Sequence, residues 1–236
     1  MEWSKARLLR FVEARLSPSE ELGLHLTVGL ALLVLAAYAF HAIAVSVMGQ
    51  AGIVQLDLQV AQWFHVHAFE PLTTAVLALT HLHSVAGVAC LSALLGLYFW
   101  RRGEAYWLLA LALSVSGGMV INVLLKYGFQ RSRPVFEEPL LTLATYSFPS
   151  GHTAGAATLY GVLACYLVRT LRGWPAQALA AAAALLMVLL VATSRLYLGA
   201  HYLSDVLAAL AESCAWLSIC VTASATLRRR AARLQG

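Results

Sequence analysis

Charged residues are scarce in this chain, and their scarcity excludes most soluble folds. Only 11% of the 236 residues are charged and 61% are hydrophobic, whereas a soluble globular domain carries about 25% charged residues. Such a composition leaves too little polar surface to cover a water-soluble globule. The formal net charge is +5, but the basic residues sit beside apolar runs and not among aromatic residues on a polar face, so we expect no nucleic-acid partner. We expect one integral membrane domain.

Cysteine is also rare, and the four cysteines form no recognisable ligand pattern. Cys90, Cys165, Cys214 and Cys220 all lie within apolar runs, and their spacing matches no zinc motif. We expect them to be small buried apolar side chains and not disulfides or metal ligands. The sequence predicts no metal site and no other cofactor, and it shows no sign of an obligate protein partner.

Long apolar runs dominate the rest of the sequence. A helix that crosses a bilayer needs roughly 20 mostly apolar residues. Six runs are predicted to be such spans: Leu24–Val47, Ser84–Trp100, Ala105–Leu125, Thr153–Val168, Ala176–Thr193 and Leu203–Leu227. The stretch Ile53–His83 mixes polar and aromatic residues, so it is predicted to be an amphipathic interfacial helix and a short lead into the second span, or a re-entrant segment. The expected fold class is all-α, a polytopic membrane protein with six transmembrane helices plus this interfacial helix.

Lysine and arginine predict the orientation of the spans. Twelve of the sixteen basic residues flank one side of the six spans: Lys5, Arg7, Arg10, Arg15, Arg101, Arg102, Arg169, Arg172, Arg228, Arg229, Arg230 and Arg233. Such an excess is typical of the cytoplasmic side. We expect both termini to be cytoplasmic, with residues 1–23 an amphipathic segment that is no cleavable signal peptide. Residues 24–227 are then the six-span domain, and residues 228–236 a basic tail.

The other four basic residues, Lys126, Arg131, Arg133 and Arg195, fall at the opposite, extracytoplasmic ends of the predicted spans. Lys126, Arg133 and Arg195 have no matching carboxylates in the pattern, so they are expected to bind an anion. A phosphoryl group suits them, because arginine forks match its oxygens and lysine supplies a point charge. Arg131 is expected to add to the local positive field.

Two histidines are predicted at the same extracytoplasmic end. Gly151 and His152 open the fourth span after Ser150, where free backbone N–H groups favour an anion. His201 and Asp205 are four residues apart, one helical turn, so the carboxylate can fix the imidazole tautomer and leave the other nitrogen free to attack phosphorus. His152 is placed to protonate the leaving alkoxide. These residues predict phosphoryl transfer at the extracytoplasmic end of the spans.

The three clusters read K-x6-R-P, P-S-G-H and S-R-x5-H-x3-D, and this pattern resembles the signature of the type-2 phosphatidic acid phosphatase superfamily letter for letter. The resemblance implies that His201 is the nucleophile of a phosphohistidine, that Asp205 assists it and that His152 is the acid. The residues that the resemblance assigns to phosphate binding are Lys126, Arg133, Ser150, Gly151 and Arg195.

The resemblance also implies a substrate and a location. The chain is similar to bacterial membrane lipid phosphatases, which implies a protein of the cytoplasmic (inner) membrane that needs no metal. Its expected partners are membrane lipids and a lipid phosphate or diphosphate substrate, such as phosphatidylglycerophosphate, phosphatidate or undecaprenyl diphosphate. The headgroup preference and the oligomeric state stay open.

Five further residues have weaker claims. His81 and His83 precede the second span and are candidates for the mouth of the substrate site. Glu212 lies inside the sixth span, and we expect a structural role, either protonated or tied to a neighbouring helix. Glu137 and Glu138 are expected to be a solvated loop edge.

Two other activities remain as alternatives to hydrolysis. The same phosphohistidine can pass its phosphoryl group to an acceptor alcohol, which would make the chain a lipid phosphotransferase. A transporter for anionic solutes is less favoured, because the ionisable residues cluster at one face and do not line a path across the membrane.

Overall fold

The structure is a computed structural model that describes residues 7, 15, 17, 23–141 and 143–235. From residue 23 onward the described residues form eight helices and no strand: α1 (Leu24–Met48), α2 (Gly52–Val66), α3 (Leu72–Leu82), α4 (Val85–Arg101), α5 (Ala105–Phe129), α6 (Gly151–Thr170), α7 (Trp174–Tyr197) and α8 (Leu203–Gln235). The predicted all-α class is confirmed. The predicted segment 1–23 lies almost entirely outside the described residues.

Four of these helices, α1, α5, α7 and α8, are long and apolar enough to cross a membrane. The pair α3 and α4, bent by 57°, adds a fifth candidate if it counts as one broken span. The fourth predicted span corresponds to α6, whose glycines, threonines and tyrosines make it less apolar than the others. The count of six spans and the interfacial position of α2 therefore stay predictions.

Helix α6 is the most enclosed of the helices, because it packs along α7 and also against α5 and α8. Nine of its 20 residues are buried, and most of these are small, such as Ala154, Gly155 and Ala156. Small side chains let helix backbones approach closely. This packing fixes the position of its first turn, which carries Gly151 and His152.

Helix α5 contains a π-helical turn at Leu113–Gly117. Trp216 of α8 packs on this turn and donates a hydrogen bond from Nε1 to the Leu113 carbonyl at 2.9 Å. A Cβ at Gly117 would lie 2.6 Å from the indole ring, so only glycine allows this approach. Because a π turn holds one extra residue, it sets the direction of the later turns that carry Asn122 and Lys126.

The connection from α5 to α6 is held by Phe148, which is fully buried against Ala44, Val47 and Ala208. The Ser147 N–H donates to the Arg131 carbonyl at 2.9 Å and joins the two ends of the connection. The aromatic anchor lies next to Pro149 and Ser150, so it fixes the residues that lead into α6.

The expectation that all four cysteines are buried is wrong for three of them. Cys90, Cys165 and Cys214 are exposed, and only Cys220 is buried. In a membrane bundle an apolar run can face lipid as well as protein. An apolar sequence context therefore does not imply burial inside the protein.

Candidate active site

A cavity of about 750 Å³ lies between α4 and α5 and ends against the connections that follow α5 and α7. Five side chains or backbones that are far apart in sequence form its polar end: Lys126, Arg133, Gly151, His152 and His201. Residues of α4 and α5 supply the remaining, mostly apolar wall. The structure thus brings five of the predicted site residues to one cavity.

The His201 imidazole sits between a carboxylate and a guanidinium. Its Nδ1 lies 3.5 Å from Asp205 Oδ2, which is close enough for an ion pair but long for a hydrogen bond. Its Nε2 lies 3.2 Å from Arg133 Nη1. Because a guanidinium can only donate, Nε2 accepts with its lone pair and Nδ1 carries the proton towards the carboxylate. This tautomer places a nucleophilic nitrogen at the polar end of the cavity.

The protonation of His201 is set by burial and by neighbouring cations. Burial lowers its pKa well below the usual value, and the charges of Arg133, Lys126 and Arg195 lower that pKa further. The protonated imidazole is disfavoured both by the loss of water and by like charges. The neutral ring is therefore favoured, with an Nε2 lone pair that accepts a hydrogen bond from Arg133.

Lys126 points from the last turn of α5 into the loop before α6. Its Nζ donates to the carbonyl oxygens of Pro149 at 2.6 Å and Tyr146 at 2.9 Å. No carboxylate of the described residues lies within ion-pair distance of this ammonium. The lysine therefore fixes the loop and leaves its positive charge uncompensated at the cavity.

Arg133 holds the same loop from the other side. Its Nε donates to the Thr145 carbonyl at 2.6 Å, and its Nη1 donates to the Ala200 carbonyl at 2.5 Å. Burial lowers the pKa of Arg133, and the nearby Asp205 carboxylate opposes this effect. Since arginine stays charged, the half-buried guanidinium brings a cation to within 3.2 Å of the His201 ring.

The segment after Arg133 is fixed by the Phe136 ring. This ring stacks on His65 of α2, with centroids 4.1 Å apart and planes 12° apart. Gly199 also lies against this ring; it has a φ of +62°, and a Cβ there would lie 2.7 Å from the ring. Glycine is needed there both for the left-handed backbone and for the close approach.

Arg195 is fully buried behind the cavity. Its Nη1 donates to Thr80 Oγ1 at 2.6 Å, while its Nε and Nη2 have no hydrogen-bond partner among the described residues. It does not line the cavity, although its charge acts on His201. Buried donors without a partner are costly, so these two N–H groups could donate to an anionic group.

Ser150 has a different position from the one expected. Its backbone N–H donates to the Asp205 carbonyl at 3.1 Å, and its Oγ accepts from Thr153 Oγ1 at 3.0 Å. It is fully buried and does not line the cavity, whereas the next two residues do. Ser150 therefore ties the start of α6 to the start of α8, and its N–H is not free as the sequence predicted.

Of the two histidines expected at the mouth of the substrate site, only one lines the cavity. His83 lines the cavity, is buried, and contacts the Tyr160 hydroxyl through Nε2 at 2.8 Å. His81 is exposed, and its Nδ1 lies 2.8 Å from the Leu77 carbonyl. The structure places His83 in the wall and leaves His81 outside it.

Glu212 is tied to a neighbouring helix, as one of the two expectations for it states. Its Oε2 accepts a hydrogen bond from Asn122 Nδ2 of α5 at 3.0 Å. Both side chains are buried, and Asn122 also lines the cavity. This bond joins α8 to α5 one turn from Lys126.

Sequence reasoning missed the buried Asp57 of α2. Arg131 donates to Asp57 Oδ2 and to Asp205 Oδ1, both at 2.7 Å. The expectation that Arg131 adds to the positive field is wrong, because these two carboxylates compensate its charge. The available signal was an aspartate in a largely apolar helix, since a buried carboxylate needs a partner.

Comparisons with known proteins identify the family of this chain. The model of the PAP2 superfamily matches residues 105–229. Phosphatidylglycerophosphatase B of Bacillus subtilis (strain 168) is 34% identical over 140 residues, which are 58% of this chain and 67% of that protein. The crystal structure of a transmembrane PAP2-type phosphatidylglycerolphosphate phosphatase from Bacillus subtilis is similar with a TM-score of 0.72 at 28% identity, covering 80% of this chain and 94% of that one.

A more distant structure shares the fold. The crystal structure of Aquifex aeolicus LpxE has a TM-score of 0.57 at 22% identity and covers 70% of this chain and 94% of that one. The family match extends across all three clusters, from Lys126 to Asp205. The apolar helices and these relatives together show an integral membrane protein. The chain belongs to the PAP2 superfamily, and it is a membrane enzyme that hydrolyses lipid phosphates.

Proposed function

We propose that this enzyme dephosphorylates its lipid through a phosphohistidine on His201. The observation that carries the proposal is the orientation of that ring, with Nε2 beside Arg133 at the cavity and Nδ1 facing Asp205. The neutral imidazole that burial favours is the form that can attack phosphorus.

In the first half-reaction, His201 Nε2 attacks phosphorus, and an N–P bond forms as the P–O bond to the lipid breaks. His152 donates a proton to the leaving oxygen. In the second, water attacks phosphorus and His152 takes a proton from that water, so the N–P bond breaks and inorganic phosphate leaves. His201 is then neutral again, and atoms and protons balance over the cycle.

The positive charges around the cavity stabilise the phosphoryl group through both steps. Lys126 and Arg133 lie at the cavity itself, and Arg195 adds two unused donors behind it. The backbone of Gly151 opens α6 at the same place and offers the N-terminal end of the helix dipole. In this proposal Ser150 acts by holding that helix start in place.

The apolar wall of the cavity favours a lipid over a soluble ester. Val88 and Gly96 of α4 face Leu111, Val115 and Met119 of α5 across it. An acyl chain fits such a wall because each buried methylene contributes about 0.8 kcal/mol. The names of both Bacillus relatives refer to phosphatidylglycerophosphate, and we propose this lipid as the substrate.

The membrane arrangement follows from the same proposal. We place α6 as the fourth of six spans, the others being α1, the pair α3 and α4, α5, α7 and α8. The basic flanks are then cytoplasmic in the inner membrane and the active site lies outside. Helix α2 then lies in the interface. Its exposed apolar residues support this placement: Leu56, Leu58, Trp63 and Val66. Residues 24–227 remain the proposed six-span domain, residues 1–23 a cytoplasmic segment and residues 228–236 the cytoplasmic tail.

The nucleophile is tested with His201→Ala and His152→Ala in purified protein, with the lipid-facing His41→Ala as a matched control. Both active-site variants should lose phosphate release. His201→Ala should take up no acid-labile radioactive phosphoryl group, whereas His152→Ala keeps the nucleophile and should take it up slowly, because the leaving oxygen lacks its acid. His41→Ala should keep both phosphate release and labelling. Full activity of His201→Ala would contradict a mechanism in which His201 is the nucleophile.

The substrate is tested with a panel of phosphatidylglycerophosphate, phosphatidate, undecaprenyl diphosphate and a short soluble phosphate ester, each with and without a chelator of divalent metals. The first lipid should have the highest kcat/KM, and the chelator should leave the rate unchanged, because protein cations compensate the phosphate charge. A soluble ester that is turned over as well as the best lipid would contradict the lipid assignment.

A further inference from the structure

We propose that Arg131 and Asp57 are positioning residues for the reaction: the ion pairs Asp57–Arg131–Asp205 hold the Asp205 carboxylate towards His201. Arg131 bridges the two carboxylates through Nη2 and Nη1, at 2.7 Å each. Neither Arg131 nor Asp57 lines the substrate cavity. Their effect on the reaction must therefore pass through Asp205, and the inference rests on the proposed role of His201.

The geometry of the Asp205 carboxylate follows from its partners. Oδ1 accepts from Arg131, and Oδ2 accepts from the backbone N–H of Tyr202 at 2.8 Å. With one oxygen held on each side, the carboxylate cannot rotate freely, and Oδ2 stays 3.5 Å from His201 Nδ1. A planar guanidinium can fix both charge and direction, which an ammonium cannot.

Asp57 holds the Arg131 side chain in position, because its own carboxylate is held by other hydrogen bonds. Its carboxylate is fully buried, and it accepts hydrogen bonds from both the backbone N–H and the hydroxyl of Ser204, the residue before Asp205. The Arg131 guanidinium also lies over the Tyr202 ring, 4.4 Å from its centroid. Helix α2 is thereby joined to the start of α8 directly at Ser204 and through Arg131 at Asp205.

Removal of Arg131 has two consequences. Two buried carboxylates lose their shared cation, and such an uncompensated charge disfavours the arrangement that held it. Asp205 then turns towards other partners, so that His201 Nδ1 loses the acceptor that defines its tautomer. Partners that orient a functional histidine typically contribute about 10- to 100-fold. The loss should fall on kcat, because the phosphate-binding side chains keep their places.

A second cavity makes this arginine accessible from outside. It has a volume of about 290 Å³ and is lined by Arg131, Tyr202 and Gln50, among others. The Arg131 side chain is 12% exposed. A free guanidinium ion can therefore enter the space that Arg131→Ala leaves and replace the missing group between the two carboxylates.

The experiment compares Arg131→Ala, Arg131→Lys and Asp57→Asn with wild type in detergent. As the matched control, Gln55→Ala removes an exposed side chain from the same helix. We expect kcat to fall about 10- to 100-fold in Arg131→Ala, less in the other two, and to stay unchanged in the control. KM and the inhibition constant of inorganic phosphate should stay within about threefold, since binding energy not specific to the transition state is retained. Millimolar guanidinium should restore kcat only in Arg131→Ala.

Three outcomes would overturn the inference: a kcat of Arg131→Ala within twofold of wild type, a parallel rise of KM and of the phosphate inhibition constant, or no recovery of kcat with guanidinium. The same assay includes His201→Ala. If that variant keeps its activity, the proposed function fails. If it is inactive while Arg131→Ala is fully active, only the positioning role fails.

Discussion

The hydrogen bond between Asn122 and Glu212 allows a sharp test of whether an acidic residue deep in α8 serves structure or chemistry. Asn122 Nδ2 donates to Glu212 Oε2 at 3.0 Å, and both side chains are buried. Glu212→Gln keeps an acceptor for Asn122, so stability and kcat should both stay close to wild type. Glu212→Leu removes the acceptor and leaves the amide donor unpaired.

The expected size of this effect follows from the burial of the amide. An unsatisfied buried donor costs about 1–3 kcal/mol, which for a chain of this length lowers the Tm by roughly 2–12 °C. Asn122→Leu combined with Glu212→Leu removes both partners, so the double variant should regain part of the stability lost in Glu212→Leu. The cycle is measured as Tm in detergent, and kcat is measured for the single Gln variant.

Two results would refute the structural role. An inactive Glu212→Gln with an unchanged Tm would show that the carboxylate takes part in the reaction. Equal Tm values for Glu212→Gln and Glu212→Leu would show that the hydrogen bond to Asn122 contributes nothing to the fold.

Three further predictions concern the residues around the cavity. Arg195→Lys keeps the charge but loses the fork with its unpaired donors. Its kcat/KM should fall about 10- to 150-fold in the phosphate-release assay, since a charge-assisted hydrogen bond is worth about 1.5–3 kcal/mol, and an unchanged value would contradict its role. Burial lowers the pKa of His201 in the folded protein. Below the usual pKa of histidine, the unfolded chain therefore binds more protons than the folded one, so the free energy of unfolding decreases as the pH falls below that value. His201→Gln should show a smaller drop in Tm on acidification, and an equal drop would argue against this linkage. Gly199→Ala should lower both Tm and kcat/KM, because the added Cβ would clash with the Phe136 ring and the backbone has a positive φ. An unchanged Tm would show that the loop can shift without cost and would contradict this prediction.

The all-helical class, the membrane setting and the family could be predicted from the sequence. The first two depend on runs of apolar residues, and the family depends on short motifs. Runs of apolar residues predict helices, and the predicted start of the fourth span at Thr153 lies within two residues of the start of α6. The arrangement of the clusters around one cavity follows from helix order. The roles of His201 and His152 stay predictions until the variants are measured.

The number of spans depends on whether each helix faces protein or lipid, and a hydropathy pattern does not contain that information. Helix α6 is enclosed by α5, α7 and α8, so small and polar residues such as Thr153, Gly155 and Thr158 meet protein and not lipid. Its composition resembles a helix–helix interface more than a lipid-facing surface.

The network at Arg131 could not be predicted for a different reason. Asp57 and Arg131 are 74 residues apart, and their contact exists only because α2 folds against the start of α8. The polar and aromatic mix of the α2 sequence predicted an interfacial helix. Asp57 in that helix signals a buried carboxylate, but nothing in the sequence identifies Arg131 as its partner.

The contacts of helix α2 limit the insertions and deletions that this helix can accept. Asp57 reaches Asp205 through Arg131, and His65 holds Phe136 beside the loop of Arg133. Insertion of one residue between positions 57 and 65 would turn one contact by about 100° and move it by about 1.5 Å relative to the other. This stretch should therefore accept many substitutions on its exposed face, yet no insertion or deletion.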